Sequence, residues 1–240
     1  MADNGDIILV HSSDLHIDHQ YGPDIYGGVP TKGLQVVLEA AQEHDADAML
    51  VAGDMFENNR QPQSVLADTA ALLEAATMPV VILPGNHDPM FEGSAYVRAG
   101  LGELDGVHIL GLTHDKAVYL ELLDLEVWGH AHRDYGDMAP LREPAERSTR
   151  WQVVMAHGHY EPAPDRDKKH NAAWLIGDDE IEATGADYVA LGHWNRAARV
   201  GNGGVQAYYS GSPDLAGTVN VVRLGEEGVH VTRAPLCFDP

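Results

Sequence analysis

Five apolar runs in this chain end in side chains that can bind a metal or move a proton. Asp14 and His16 follow "IILVHSS", and Asp54 follows "AMLVAG". Asn86, His87 and Asp88 follow "VVILPG", His157 and His159 follow "QVVMA", and His193 and Asn195 follow "DYVALG". A single Asp or Asn after a strand is commonly a turn residue or a helix cap, and a single His there is commonly a hydrogen-bonded loop residue. Recurrence at five strand ends points instead to one shared site. Glycine stands directly before Asp54, Asn86 and His193, where it lets the backbone turn sharply or come close to a bound group. Asp, His and Asn without Cys form a donor set suited to Mn, Fe, Zn or Co. A carboxylate such as Asp54 can bridge two ions. Ions about 3.5–4 Å apart can clamp phosphate oxygens during an in-line displacement. A His that binds no metal can protonate or stabilise the leaving oxygen, and His87, beside Asn86, is the candidate.

The elements that would position these residues alternate in the N-terminal half. Strands are expected at 6–14, 47–54 and 78–88, with helices at 31–46 and 62–77 and a further helix within 94–104. Strands separated by helices of this length make βαβ units and a mainly parallel sheet. Their continuous apolar character says both faces are covered. The second half reads as strands at 106–112, 125–130, 151–159, 187–194, 205–212, 219–224 and 228–236, with one helix near Gly177–Ala183. Many strands with few helices suggest a second sheet stacked on the first. The expected architecture is α/β, a four-layer α-β-β-α sandwich of two mixed sheets with helices outside. It spans residues 1–240 as one domain, with loops at 140–150 and 161–170. The carboxyl ends of the strands would form the rim where ligands bind.

The totals narrow the function. The 240 residues can bury a sizeable core, and 44% hydrophobic with 22% charged residues is ordinary for a globular protein. No run approaches the roughly eighteen apolar residues of a membrane span, so no membrane association is expected. The N-terminus lacks the basic start and apolar stretch of a secretory signal. Cys237 is alone, which excludes an internal disulfide and fits a reducing, cytoplasmic setting. The formal charge is −22, from 37 acidic and 15 basic residues. Such a surface repels nucleic acid unless a local patch or bound metal reverses the field. The 14 histidines form no tag-like run.

Together, "DLH" (14–16), "GD" (53–54), "GNHD" (85–88), "AHG" (156–158) and "GH" (192–193) resemble the motifs of the calcineurin-like metallophosphoesterases, in order and spacing. The strand ending in "YYSGSP" (208–213) is similar to the branch that holds the DNA-repair (SbcD-like) exonucleases. The resemblance implies two divalent ions, Mn²⁺ foremost, with Fe, Zn or Co as alternatives. It gives Asp14 and His16 to the first ion, Asp54 to both, and Asn86, His157 and His193 to the second. His87 would be the acid or transition-state stabiliser, held by Asp88, with a metal-bound hydroxide as nucleophile and no covalent enzyme intermediate. One departure stands out. The family's last motif is Gly-His-X-His, and its second His completes the first metal site. Here "GHWN" puts Asn195 there, a weaker neutral ligand, which implies a looser first site.

Other residues compete for roles. "WGHAH" (128–132) imitates the last motif out of order, so His130 and His132 are expected as strand-end residues near the site. His159 could replace the missing ligand, and His11 reads as a satisfied core histidine. Tyr21 and Tyr26, in the Gly- and Tyr-rich loop after His16, could stack on a nucleotide base or serve as plain loop anchors. The family's nucleases usually carry a DNA-facing domain after the catalytic one, and the expectation from Pro240 is that none follows here. The reading is therefore a phosphodiesterase acting on small or generic phosphodiesters. The alternatives are a DNA nuclease component whose partner supplies the basic surface, and a scaffold that kept the fold without catalysis.

Overall fold

The computed structural model describes residues 5–20, 27–166 and 174–238. Two six-stranded mixed sheets stack face to face. The first is built from β1 (Ile7–Ser12), β2 (Ala48–Ala52), β3 (Val80–Leu83), β4 (Val107–Ile109), β13 (Thr218–Gly225) and β14 (Gly228–Pro235), in the order β14-β13-β1-β2-β3-β4. Its β1–β4 core is parallel, linked by α1 (Lys32–Glu43), α2 (Gln63–Glu74) and the short α3 (Ala95–Arg98). The second contains β5 (Ala117–Leu120), β6 (Leu125–Gly129), β7 (Trp151–His157), β10 (Tyr188–Gly192), β11 (Ala198–Val200) and β12 (Gln206–Tyr209), in the order β11-β12-β10-β7-β6-β5. A separate parallel pair joins β8 (His159–Tyr160) and β9 (Leu175–Ile176). Two short helices, α4 (Asp178–Ala183) and α5 (Pro213–Ala216), and the 3₁₀ turns Leu101–Glu103 and Glu121–Leu123 complete the regular elements among the described residues.

The layers follow from side-chain alternation. Successive strand residues face opposite sides of a sheet, and both sides here are apolar. Val10, Met49, Val51, Val80 and Ile82 pack outward against Leu34, Val37, Val65 and Leu66 of α1 and α2. Their neighbours Leu9, Leu50, Val81 and Leu83 face inward and meet Val127, Val153, Met155 and Ala190 of the second sheet. The far side of that sheet buries Val154, Val189 and Leu191 with Ile181 of α4. The four-layer α/β sandwich expected from the apolar runs is therefore present. The elements not anticipated are β5, β9, β11, α5 and the 3₁₀ turn Glu121–Leu123, each four residues or fewer and too short to carry a period. Among the described residues no helix is long and apolar enough to cross a membrane.

A buried polar bridge crosses the mostly apolar interface between the sheets. His11 of β1 and Tyr188 of β10 are both fully buried, with His11 Nδ1 2.8 Å from the Tyr188 hydroxyl. Asn220 of β13 donates to the same hydroxyl at 3.4 Å and to the Tyr209 carbonyl. Burial pushes the His11 imidazole down to about 3, so it is neutral. This is the core histidine that its position inside the first strand suggested. Tyr188→Phe removes the shared hydroxyl and with it two buried hydrogen bonds, leaving His11 Nδ1 only the longer contact to Asn220 Nδ2 at 3.4 Å. It is expected to lower stability by about 1–3 kcal/mol in urea titration. An unchanged midpoint would show that the bridge contributes nothing.

Candidate metal centre

The carboxyl ends of β1, β2, β3, β7 and β10 point to the same rim, because these strands run parallel within their sheets. The backbone ladder between β1 and β2 continues past the strand ends. Asp14 N–H donates to the Gly53 carbonyl at 3.0 Å, His16 N–H to Asp54 at 3.1 Å and Ile17 N–H to Met55 at 2.9 Å. The loops after β1 and β2 are thereby stitched together. Asp14, His16, Asp54 and His193 adopt left-handed backbone with φ of 54°, 45°, 52° and 104°. Side chains visit that region rarely, and such conformations persist where the surroundings over-determine them, commonly at functional sites.

Glycines make the convergence sterically feasible. A Cβ on Gly192 would lie 1.8 Å from the Ala52 carbonyl oxygen and 2.8 Å from His157 Nδ1. One on Gly85 would lie 2.2 Å from Asp54 Oδ1, and one on Gly53, whose φ is +92°, 2.0 Å from His157 Nδ1. The glycines before His193, Asn86 and Asp54 thus allow the close approach that their positions suggested.

Four electron-pair donors meet at the centre. His157 Nε2 lies 3.0 Å from Asp54 Oδ2 and 3.0 Å from Asn86 Oδ1, and His193 Nδ1 lies 3.1 Å from the same amide oxygen. The other nitrogen of His157, Nδ1, donates to the Ala52 carbonyl at 2.9 Å. A proton on His157 Nε2 would serve Asp54 and one on His193 Nδ1 would serve Asn86, and with those protons displaced the same atoms all present lone pairs to one point. One cation would serve all four, so the donor set fits a divalent ion. Asp14, His16 and Asp54 form a second group of potential ligand atoms within 4.8 Å of one another, and Asp54 belongs to both. That is the geometry a bridging carboxylate needs. Asp14 is held by the His193 N–H at 3.0–3.1 Å and by the Ser13 hydroxyl.

The electrostatics are those of a negative pocket. Burial pushes Asp14 up, toward its neutral form. Burial acts the same way on Asp54, but His157 overcomes it and holds the carboxyl well below the usual range. Burial disfavours charge on His157, yet Asp54 and Asp14 raise it to about 9. Burial and the facing His157 push His193 down to about 4. A positive charge is thus drawn to the point where Asp54 and His157 meet.

A third group is His16, Glu57 and His87. The Glu57 carboxylate stands between two rings, with Oε2 2.9 Å from His16 Nδ1 and Oε1 3.5 Å from His87 Nδ1. His87 Nδ1 also donates to the Glu57 carbonyl at 3.0 Å. Hydrogen bonding to Glu57 raises His87 to about 9, and His16 and His87 hold Glu57 down at about 2. Glu57 was missed from sequence. Its only signal is a carboxylate three residues after Asp54 in "GDMFE".

Two expectations are corrected. Asp88 does not hold His87. Its buried carboxylate accepts from Gly85 N–H at 2.8 Å, Phe56 N–H at 2.9 Å and the Tyr96 hydroxyl at 2.6 Å, so it braces the loop from below. Asn195 is exposed three residues beyond β10. Among the described residues its one hydrogen bond is through its backbone carbonyl, to Ser212 N–H. The chain has already left the sheet there, and among the described residues no hydrogen bond ties the side chain to the cluster.

The other histidines separate as follows. His132 is buried behind the site with Nε2 donating to the His157 carbonyl at 2.9 Å. His130 bonds the Arg142 carbonyl at 2.7 Å, away from the cluster. His159 is exposed, its ring centroid 6.4 Å from that of His193. Tyr21 and Tyr26 lie outside the described residues.

Gly192→Ala would drive its Cβ into the Ala52 carbonyl and the His157 ring. The expected result is a stability loss of about 1–3 kcal/mol, with divalent-ion affinity weakened in calorimetric titration. Wild-type ion affinity in the variant would show that the close approach is not required.

Residues 8–196 match the calcineurin-like phosphoesterase family model. The SbcD component of the SbcCD nuclease of Bacillus subtilis (strain 168) is 24% identical, with 85% of this chain and 61% of that protein covered. The DNA double-strand break repair protein Mre11 of Archaeoglobus fulgidus is 26% identical over 91% of this chain and 53% of that protein. The 3',5'-cyclic adenosine monophosphate phosphodiesterase CpdA of Escherichia coli (strain K12) is 24% identical over 68% of this chain and 59% of its own. This chain therefore spans between half and two thirds of the length of these relatives. Among solved structures, a putative 5'-nucleotidase from Staphylococcus aureus superposes with a TM-score of 0.61 at 14% identity, over 98% of this chain and 55% of that one, a likeness of fold. With the family model covering most of the chain and the family's donor groups assembled on its strand ends, the chain belongs to the calcineurin-like phosphoesterases, a family of phosphoric ester hydrolases with a dinuclear divalent metal centre.

Proposed function

We propose that this chain is a metal-dependent phosphodiesterase acting on small phosphodiesters. The observation that carries the reading is the meeting of Asp54 Oδ2, Asn86 Oδ1, His157 Nε2 and His193 Nδ1, next to the Asp14–His16–Asp54 group that shares Asp54. Asp14 and His16 would hold one divalent ion, Mn²⁺ foremost. Asn86, His157 and His193 would hold the other, and Asp54 both. When bound, such ions neutralise phosphate oxygens and lower the pKa of an attacking water. The chain supplies the rest. His87 is the most exposed ring of its group, with a side chain 40% accessible. Its Nδ1 is taken by Glu57, so Nε2 is free to carry a proton to a leaving oxygen. Glu57 orients that ring and, through His16 Nδ1, a proposed ligand as well. Carboxylates that hold a ligating imidazole in this way typically matter 10–100-fold. A nuclease and a cyclic-nucleotide phosphodiesterase among the relatives support a diester substrate. A soluble cytoplasmic setting belongs to the same proposal.

A second reading, a component of a nuclease, is favoured by the coverage of the SbcCD and Mre11 relatives. The charge of −22 makes it depend on a partner's basic surface. Cleavage of single-stranded DNA by the isolated chain, falling steeply with salt, would favour it over the small-substrate reading.

The direct test is hydrolysis of bis(p-nitrophenyl) phosphate by chelator-stripped protein. Turnover restored by Mn²⁺ is expected. Absence of turnover with Mn²⁺, Fe²⁺, Zn²⁺ and Co²⁺ would overturn the enzymatic reading. His87→Ala is expected to lower kcat by about 10²–10⁴-fold while keeping divalent-ion affinity. Glu57→Ala is expected to lower activity by about 10–100-fold and to weaken ion binding, because it serves both rings. An Asp88→Asn change that mimicked the kinetics of His87→Ala at full stability would return the orienting role to Asp88.

A further inference from the structure

One side of the metal centre is lined with aromatic rings that the proposed chemistry does not use. Trp194 follows His193 directly and is half-buried. Its ring stacks face to face on Tyr209, with centroids 4.4 Å apart and planes 9° from parallel. Tyr209 is itself buried and pinned by its hydroxyl to the Gly158 carbonyl at 2.7 Å. The indole N–H of Trp194 donates to His159 Nδ1 at 3.1 Å. One face and the polar edge of Trp194 are therefore already engaged, and the ring is fixed before any ligand arrives. Tyr160 meets the indole edge-on at 6.3 Å, and among the described residues no second ring stacks parallel on it.

His159 completes the arrangement. Because Nδ1 accepts from Trp194, the neutral ring carries its proton on Nε2, and His159 is exposed. This is an oriented donor beside an indole face, 6.4 Å between ring centroids from the proposed ligand His193. On the other side of His193 lies a second half-buried indole, Trp174, at 5.7 Å. Trp174 is anchored through its own N–H to the Gly136 carbonyl at 2.9 Å. With its proposed ions bound, the centre would thus offer positive charge to phosphate beside fixed, uncharged aromatic surface.

We infer that Trp194, with His159, forms a stacking shelf for the nucleobase of a small nucleotide-derived phosphodiester held at the adjacent centre. This rests on the phosphodiesterase reading and names its substrate class. An indole face has no affinity for phosphate, but it matches a planar base, and such stacking is worth about 1–3 kcal/mol per base. The His159 Nε2–H can bond an acceptor on the base edge or the sugar. The net charge of −22 opposes a long polyanion and favours a ligand with one or two phosphates.

The test compares adenosine 5'-monophosphate with ribose 5-phosphate, which lacks only the base, by calorimetric titration of the full chain with Mn²⁺ present. The shelf predicts about fivefold or tighter binding of the nucleotide. That preference should be lost in Trp194→Ala and retained in Trp194→Phe. Should Trp194→Ala fail to fold by circular dichroism, His159→Ala provides the second variant and is expected to narrow the preference. Equal binding of the two probes by the unmodified chain, or a preference that survives both variants, would overturn the shelf. A dodecamer of deoxyadenylate that competes more tightly than the mononucleotide would overturn the assignment to a small nucleotide. The two readings fail separately. Chromogenic diester turnover without base preference removes the shelf alone, and base preference without turnover of any diester removes the catalytic reading alone.

Discussion

Everything at the rim depends on one electrostatic constraint. Buried oxygen and nitrogen lone pairs have been packed against one another, and such a cluster is stable only if positive charge sits among them. The pair formed by Asp54 and His157 is the clearest case, since both side chains are almost wholly inaccessible. Without a cation a proton must be borrowed. Asp54 is then driven down and His157 up, as expected when a carboxylate and an imidazole share a dry site. A buried unpaired charge is costly enough that residues are rarely left this way without a partner. A divalent ion would take the place of that proton and draw on the lone pairs of Asn86 and His193 as well.

The fold supplies this constraint by topology. Parallel strands in both sheets end on the same side, and the two sheets face one another. Groups from residues 14 and 193, at opposite ends of the chain, therefore come within hydrogen-bond distance. The glycines at 53, 85 and 192 remove the Cβ atoms that would hold the loops apart. The left-handed backbone at Asp14, His16, Asp54 and His193 turns each ligand inward, and the ladder between the β1 and β2 loops offsets that strain. The stability of the interface between the sheets and the geometry of the site are thus one problem, with the His11–Tyr188 bridge marking where the sheets are locked in register.

Much of this was legible in the sequence because it rests on local patterns. Apolar runs of strand length followed by Asp, Asn or His located Asp14, His16, Asp54, Asn86, His157 and His193. The glycines before three of them signalled close backbone approach. What escaped was set by side-chain direction, which neighbouring positions in sequence do not report. Asp88 adjoins His87, yet it points down into the core toward Tyr96, while Glu57, thirty residues upstream, reaches the ring. Asn195 lies two residues from His193, but the chain has by then turned to solvent. Trp174, His159 and Trp194 stand beside the metal centre, positioned by Tyr209 and the β8–β9 pair, and no local pattern in the sequence marks them as neighbours.

The central claim is that the cluster around Asp54 exists to hold divalent cations. Anomalous diffraction from crystals soaked in Mn²⁺ tests it most directly. The account predicts two manganese peaks, both in contact with Asp54. One would also touch Asn86, His157 and His193, and the other Asp14 and His16. Absence of any peak, with His157 remaining hydrogen-bonded to Asp54 at saturating Mn²⁺, would contradict it.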